Sequence, residues 1–364
     1  MRDYRTIGLV CIAHGTPEER SIRLRGPYAS LAAFVDGIAR PAAAFERGQV
    51  LAWNDSASLP LLPSEDSAEV FAQLRKAPRL DRNEEGLWRA RPDTELHATA
   101  QKPLMDLDSE DCPDGYWPVY KGESFDLWTP DTGTYYAYAD RQPIIRWLQD
   151  KRMRAGRSRR DSAHREFPPD HLRDQSTLPC LAPRLAFRDV TNRTNQRTVI
   201  ACLIPPKVFV TNTGPYFLWP RGDNQDQAFL LGILSSIPLD WYARRFVELH
   251  VNFFIINPFP VPRPSRDDAG WQRVVELAGR LACPDDRYAA WAEAVGVDCG
   301  PLAADEMDGM IHELDAVVAH LYGLSEAHIV HIFETFHEGW SRGLGIPDGL
   351  DVVLRHYRAW AGRR

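Results

Sequence analysis

The stretch RLAFRDVTNRTNQRTVIACLI, residues 184–204, decides the fold. Two runs within it, Arg184–Val190 and Thr198–Ile204, are rich in β-branched or aromatic residues and predict strands. The polar run between them, Asn192–Asn195, predicts a turn. Because Val208–Thr211 predicts one more short strand, this part of the chain is β-rich.

Helical patterns flank this β-rich block and follow it. Tyr116–Tyr138 predicts short strands joined by turns, and Ile144–Met153 predicts a helix that runs into a mobile basic loop. Gln225–Ser235 predicts another helix, and after Ser265 the apolar spacing is helical to the end. The fold class is therefore α+β, with a mixed β-rich domain followed by an all-helical C-terminal region.

No targeting or membrane segment is expected. The longest apolar stretch, Ala228–Ile237, is far shorter than the ~20 residues that a bilayer requires. Near the start, Ile7–Ala13 is at the short end for a signal peptide and no cleavage site follows it, so it predicts a buried strand. The six cysteines are scattered without a C-x-x-C motif, which is typical of a reduced cytoplasmic protein.

The charge of the chain is unevenly distributed. The formal net charge is −7, which by itself argues against a nucleic-acid binder. Between Arg141 and Arg221, however, sixteen Lys/Arg face six Asp/Glu, a local charge of +10, and the rest of the chain carries −17. Only five of the 43 basic residues are lysines, so the choice of arginine is typical of a GC-rich genome and only the clustering points to a polyanion.

The common catalytic signatures are absent. The sequence has no G-x-S-x-G motif, no Walker loop and no G-x-G-x-x-G fingerprint. A nuclease of the P-D…(D/E)-x-K type needs an acid two residues before a lysine, and none of the five lysines has one. His328 and His331 are three residues apart on a predicted helix, but without H-E-x-x-H or a cysteine partner they predict surface or core histidines and no metal site.

Five segments together resemble a known family. Taken in chain order they are YWPVYKGE at 116–123, RLAFRDVT with TNQRTVIA at 184–201, AFLLGILSS at 228–236, NPFPVP at 257–262, and ELDAVVAHLYGL at 313–324 with the apolar run 329–336. The chain from Tyr116 to Phe336 resembles the target-recognition region of bacterial DNA adenine-N6 methyltransferases. This region is the TaqI-like C-terminal specificity domain of type IIG, BREX and DISARM enzymes.

The resemblance implies a division of the chain and a function. Residues 1–115 would form an N-terminal connector, 116–264 the DNA target-recognition (specificity) domain, and 265–364 a helical C-terminal domain. The S-adenosylmethionine domain that precedes this region in relatives is absent, so the resemblance implies a separate specificity chain or one half of a split enzyme. It would serve restriction-modification or phage defence. Its partners would be double-stranded DNA and a methyltransferase catalytic chain or another defence-system subunit. No cofactor is expected in this chain, and S-adenosylmethionine is expected on the partner.

DNA contact is assigned to basic and amide side chains. Such a domain must neutralise phosphates and present side chains to base edges. Arginine pairs with guanine, and asparagine or glutamine pairs with adenine, in the major groove. The candidates for phosphate contact are Lys121, Lys151, Arg152, Arg154, Arg157, Arg159 and Arg160, and those near the predicted turn are Arg188, Asn192, Arg193, Asn195, Gln196 and Arg197. The alternative is that the turn is only structural and that Arg197 forms an ion pair with Asp189.

Two other functions stay open. Asn257-Pro258-Phe259 follows the apolar run Phe253–Ile256, which predicts a buried strand, and resembles the N-P-P-[Y/F] turn with which adenine methyltransferases hold a flipped base. Asn257 and Phe259 would then be the catalytic turn of a divergent stand-alone methyltransferase. This turn lacks the second proline, so a proline-terminated strand exit is the simpler interpretation. The remaining hypothesis is a non-catalytic interaction protein or a decayed fragment.

Overall fold

A computed structural model describes residues 21–361 apart from 27, 29, 54, 56, 57, 63, 159–161, 193, 194, 338–346 and 348. Three groups of sequence predictions lie outside the described residues. They concern the strand Ile7–Ala13 with Cys11, the basic pair Arg159 and Arg160, and the turn residue Arg193.

Helices dominate the second half of the chain. The helices are α1 (Leu31–Ile38), α2 (Arg47–Trp53), α3 (Glu65–Leu74), α4 (Arg141–Ser158), α5 (Pro169–Arg173), α6 (Asn224–Ser235), α7 (Ile237–Ala243), α8 (Phe253–Ile256), α9 (Ala269–Leu281), α10 (Ala289–Val295), α11 (Ala304–Leu321), α12 (Glu326–Glu334) and α13 (Leu350–Ala361). Every strand among the described residues precedes α6, which confirms the predicted α+β class with an all-helical C-terminal region. No helix in this part of the chain is long and apolar enough to cross a membrane.

The strands form three small sheets. They are β1 (Ser21–Leu24), β2 (Ala43–Glu46), β3 (Arg89–Asp93), β4 (Tyr116–Tyr120), β5 (Ala137–Asp140), β6 (Arg184–Phe187), β7 (Ala201–Ile204), β8 (Phe209–Val210) and β9 (Tyr216–Arg221). The strand orders are β1-β2, β3-β9-β6-β7 and β5-β4-β8. The pairings are antiparallel except β4 with β8, which is parallel. The sequence therefore predicts the strands of the block 184–211 correctly, with β6 pairing directly to β7.

The four-stranded sheet packs on the helical region through α6. All residues of β6 and β7 are buried, and α6 is buried from Ala228 to its end at Ser235. Gly232 permits the close approach of α9, since a Cβ there would lie 2.6 Å from a methyl group of Val274. Residues of the β-rich part and of the helical part thus belong to one hydrophobic core. The apolar surface buried on both sides of α6 stabilises both parts.

Three sequence predictions are wrong in local detail. Phe253–Ile256 is the short helix α8, which Asn252 caps by accepting a hydrogen bond from the Ile255 amide at 3.2 Å. The predicted mobile basic loop is helical as far as Ser158. Phe125–Trp128, which the alternation within Tyr116–Tyr138 predicts as a strand, leads instead into a turn closed by hydrogen bonds between Asp126 and Thr129, in which Trp128 adopts a φ of 57° that a strand does not allow.

Asp315 on α11 joins the helical tail to the start of α7. Its Oδ1 accepts a hydrogen bond from the Ile237 amide at 2.7 Å, while Oδ2 is buried with no hydrogen-bond partner among the described residues. Burial raises the pKa of Asp315 to about 6, and the nearby charge of Asp240 acts in the same direction. The ionised carboxylate is therefore costly in the folded state.

Asp315→Asn is expected to stabilise the protein at pH 7.5. The folded pKa is raised, so the stability that Asp315 contributes is present below its unfolded pKa and is lost as the pH rises through about 6. A shift of this size corresponds to up to about 3 kcal/mol of unfolding free energy at pH 7.5, and less at pH 5. Urea denaturation of both proteins at the two pH values checks this. An effect of Asp315→Asn that is independent of pH would contradict it.

Candidate nucleic-acid interface

The exposed face of α4 is basic. Arg146, Arg154 and Arg157 are exposed, and at 100° per residue they and Asp150 fall within an arc of about 80°. The opposite face holds the buried Ile144 and Leu148. The three arginines span about 16 Å along the helix axis. This surface, called the α4 face below, can contact successive phosphates of a nucleic-acid backbone.

Lys151 and Arg152 serve the fold instead. The Lys151 ammonium donates hydrogen bonds to the carbonyls of Thr94 and, at 2.8 Å, Glu95. Arg152 is buried and donates to the Thr177 hydroxyl at 3.0 Å and to the Asp174 carbonyl. Both side chains therefore anchor α4 to its neighbours, and in this conformation neither is available to a phosphate.

A buried ion pair connects this anchor to β6. Arg184 Nη2 lies 3.0 Å from Glu95 Oε2, and both side chains are almost completely buried. Burial raises the pKa of Glu95, although Arg184 and the Val210 amide oppose that shift. The α4 face is thus attached at the Arg184 end of β6, about 10 Å from the other end of that strand.

Lys121 and Arg188 lie together near the middle of the β-rich part, where carboxylates neutralise both. Lys121 Nζ is 2.7 Å from Glu123 Oε2. Arg188 donates to the Phe125 carbonyl at 2.9 Å and lies 3.2 Å from Asp126 Oδ2. Because Arg188 is mostly buried and already hydrogen-bonded, the structure favours a structural role for it over a base contact.

A polar loop follows β6 at its other end. Its base is closed where the Thr191 hydroxyl donates to the Thr198 carbonyl at 2.8 Å. The Asn195 amide donates a hydrogen bond to the Asn192 carbonyl at 3.0 Å, at the place where the sequence predicts a turn. The side chains of Asn195 and Gln196 are exposed. The described residues here, Thr191, Asn192 and 195–198, are called the polar loop below.

Asp240 on α7 fixes the C-terminal side of the polar loop. Its carboxylate accepts hydrogen bonds from Arg197 Nε at 2.7 Å and from the amides of Thr198 and Val199 at 3.0 and 3.1 Å. Asp240 is fully buried, and Arg244 lies 3.7 Å from it. Arg197 therefore forms the ion pair that the sequence left open, but its partner is Asp240 and not Asp189.

Asp189 pairs with another residue. Its Oδ2 lies 3.1 Å from Nδ1 of His250. The Asp189 carbonyl also accepts the Val251 amide at 2.7 Å, so the segment before the polar loop is paired along 249–251. The polar loop is consequently hydrogen-bonded to the rest of the fold both before Asn192 and after Gln196.

The turn Asn257-Pro258-Phe259 is part of the core. Phe259 is buried with its ring 6.1 Å from that of Tyr242, and its carbonyl accepts the Leu80 amide at 2.8 Å. The Asn257 carbonyl accepts the Asp81 amide at 3.0 Å. In this conformation the Phe259 ring cannot stack on a flipped base.

His328 and His331, which the sequence predicts to be surface or core histidines, each lie within hydrogen-bond distance of a side chain on α3. His331 lies 2.9 Å from the buried Ser67 hydroxyl, and His328 lies 3.3 Å from Glu69. Burial lowers the pKa of His331. Within the described residues, no group of three or more His, Cys, Asp or Glu side chains could hold a metal ion.

The sequence missed part of the exposed basic surface. Arg141 and Arg146 on α4 are exposed, and neither is among the DNA-contact candidates assigned from the sequence. The i, i+4 and i+8 spacing of Arg146, Asp150 and Arg154 was the available signal, because it places them on one helix face.

Comparisons with known proteins give a remote similarity only. No family model and no curated protein matches the chain. Among solved structures, the chain is similar to the type IIL restriction-modification enzyme MmeI, in a complex with DNA, at 14% identity and a TM-score of 0.32 over 72% of this chain and 35% of that one. It is also similar to the type IIG restriction endonuclease BpuSI at 13% identity and a TM-score of 0.35, over 71% and 33%. The chain spans about a third of the length of either enzyme.

Proposed function

We propose that this chain is the DNA-binding target-recognition part of a restriction-modification or phage-defence adenine-specific DNA methyltransferase. It would work with a separate chain that binds S-adenosylmethionine and carries out methyl transfer. In this assignment the chain selects the DNA sequence, and its partner chain transfers the methyl group.

The polar loop is the observation that carries the proposal. It presents two adjacent amide side chains, Asn195 and Gln196, which can form bidentate hydrogen bonds with adenine in the major groove. Its C-terminal side is held by hydrogen bonds from Arg197 and the Thr198 amide to the buried Asp240, so this side loses little conformational entropy on binding. Exposed amide side chains next to a fixed backbone are the arrangement that base readout requires, which a turn with only a structural role would not need.

The α4 face supplies the second element of the proposal. Three exposed arginines with one intervening acid give it a net charge of +2. Such contacts provide affinity and orientation without sequence information. The α4 face and the polar loop are attached to opposite ends of β6, so their contributions to affinity and to discrimination should be separable.

Salt titration of DNA binding tests the proposal. The chain is titrated into a fluorescent 30-base-pair duplex at several salt concentrations between 50 and 200 mM. The logarithm of the binding constant should fall linearly with the logarithm of salt, with a slope of about −0.9 per phosphate contacted. Binding that is absent at 50 mM salt, or that does not change with salt, would contradict the proposal.

The second candidate is the stand-alone methyltransferase, which would have to use a pocket beside the turn Asn257-Pro258-Phe259, because the Phe259 ring itself is buried. A pocket of about 320 Å³ lies beside Pro258 and is lined by Trp53, Tyr242, Phe246 and Phe254 among others. Aromatic walls of this kind can hold a planar ring.

Calorimetry with S-adenosylmethionine separates the two candidates. The chain alone is expected to give no binding heat, since it lacks a glycine-rich phosphate or cofactor loop. A saturable one-to-one isotherm, abolished by Phe254→Asp at the pocket mouth, would favour the stand-alone enzyme.

A further inference from the structure

Two neighbouring arginines at the end of α7 are fully buried but hold different parts of the molecule. Arg244 Nη2 donates to the carbonyls of Asn195 at 2.8 Å and Gln196 at 2.7 Å. Arg245 donates instead to the carbonyls of Trp241 and Thr335, both at 3.2 Å. Among the described contacts, it is Arg244 that donates to the backbone of Asn195 and Gln196, whereas Arg245 donates to the backbone of Trp241 and Thr335.

The two carbonyls that Arg244 binds belong to the two residues whose side chains are exposed. Fixing both carbonyls fixes the peptide planes on either side of Gln196 and therefore the directions in which the Cα–Cβ bonds of the pair point. Hydrogen bonds from a charged donor are roughly twice as strong as neutral ones, so the buried guanidinium holds this backbone firmly. The two hydrogen bonds from Arg244 to the carbonyls of Asn195 and Gln196 are called the clamp below.

The far side of the clamp is formed by the helical tail. The Arg244 guanidinium lies 4.0 Å from the centre of the Phe336 ring, and Nη1 lies 3.2 Å from Nδ1 of His337. Among the described residues, the charged groups that face Arg244 are Asp240 at 3.7 Å and Arg197, which also pairs with Asp240. Phe336 and His337, which follow α12, thus pack against the guanidinium that holds the polar loop.

We propose that Arg244 is a positioning residue that sets the sequence discrimination of the polar loop, with Phe336 holding it in place. This rests on the proposed function, because it assigns base readout to Asn195 and Gln196. Loss of the clamp leaves the α4 face and its phosphate contacts intact, so discrimination falls while non-specific affinity stays. The clamp acts through the loop and touches no base itself.

Arg244→Lys tests this proposal, with Arg245→Lys as the matched control. Both changes replace a fully buried arginine with a lysine, but only the first removes the paired bonds to the loop carbonyls. Wild-type chain is used to select a preferred duplex from a random pool, and each protein is then titrated with that duplex and a scrambled one. Circular dichroism and thermal melting verify folding.

The expected result is a split between the two variants. Arg244→Lys should lower the ratio of the two affinities about tenfold or more, with the scrambled-duplex affinity and its salt slope unchanged. Arg245→Lys should keep the wild-type ratio within about twofold, since its contacts to Trp241 and Thr335 are remote from base readout. Phe336→Leu keeps the tail apolar but removes the ring under the guanidinium, and should lower the ratio in the same direction.

Three outcomes would overturn the proposal. The first is an unchanged ratio in folded Arg244→Lys, and the second is an equal loss in both arginine variants. If Arg244→Lys does not fold, an unchanged ratio in Phe336→Leu overturns it. A wild-type chain that binds DNA without discrimination, or does not bind it, instead refutes the proposed function and the positioning role with it.

Discussion

Replacing Arg146, Arg154 and Arg157 together with glutamine is expected to weaken DNA binding by about 10²- to 10³-fold at 0.1 M salt. The three side chains lie on one exposed face of α4 and contribute to affinity by displacing counterions from phosphates. The slope of log binding constant against log salt should become shallower by about 2.7 if each contacts one phosphate. Fluorescence anisotropy with a 30-base-pair duplex at four salt concentrations measures both quantities.

A control with the same change in net charge makes this result specific. Arg40, Arg47 and Arg355 are also exposed but lie outside the α4 face, so their triple glutamine variant should change the slope by less than about one unit. Equal effects of the two triple variants would mean that only overall charge matters. An unchanged slope in the α4 variant would remove this helix from the interface.

Asp240→Ala is expected to lower the free energy of unfolding by about 3–5 kcal/mol. The change removes the acceptor of Arg197 Nε and of two backbone amides, and it leaves the fully buried Arg244 without the nearby carboxylate. Breaking a buried ion pair on one side is costly because the remaining charge stays desolvated. Urea denaturation followed by circular dichroism measures the loss.

Asp268→Ala is the matched control for that variant. Asp268 caps α9 by accepting the amides of Gly270 at 2.8 Å and Trp271 at 3.1 Å, and its described contacts include no ion pair with a buried arginine. Its replacement should cost about 1 kcal/mol. If both variants lose the same free energy, Asp240 is only a local acceptor and not the centre of a charge network.

The elements that the sequence predicts well are those with a strong local signal. Apolar spacing and capping residues predict helices over Gln225–Ser235, Trp271–Ala282 and Asp305–Leu321. The corresponding helices α6, α9 and α11 begin and end within two residues of these bounds. The short run Phe253–Ile256 has the composition of a strand but is the helix α8. Four apolar residues are too few to show a period, and the cap at Asn252 decides the conformation.

The candidate site was harder to predict because the partners of its charges are distant in sequence. Arg184 pairs with Glu95 across 89 residues, and Arg197 pairs with Asp240 across 43. Local charge counting treats such arginines as surface charge, although folding neutralises them. The +10 block therefore overstates the basic surface, whereas the helical face formed by Arg146, Arg154 and Arg157 follows directly from spacing.

Selection of duplexes from a random pool tests the central claim most directly. Wild-type chain and the double variant Asn195→Ala/Gln196→Ala are each incubated with the pool, and bound duplexes are sequenced. The wild type should enrich one motif, and the double variant should lose preference at one or two of its positions while binding DNA with the same salt dependence. A motif that the double variant enriches unchanged, or no motif from the wild type, would contradict readout by the polar loop.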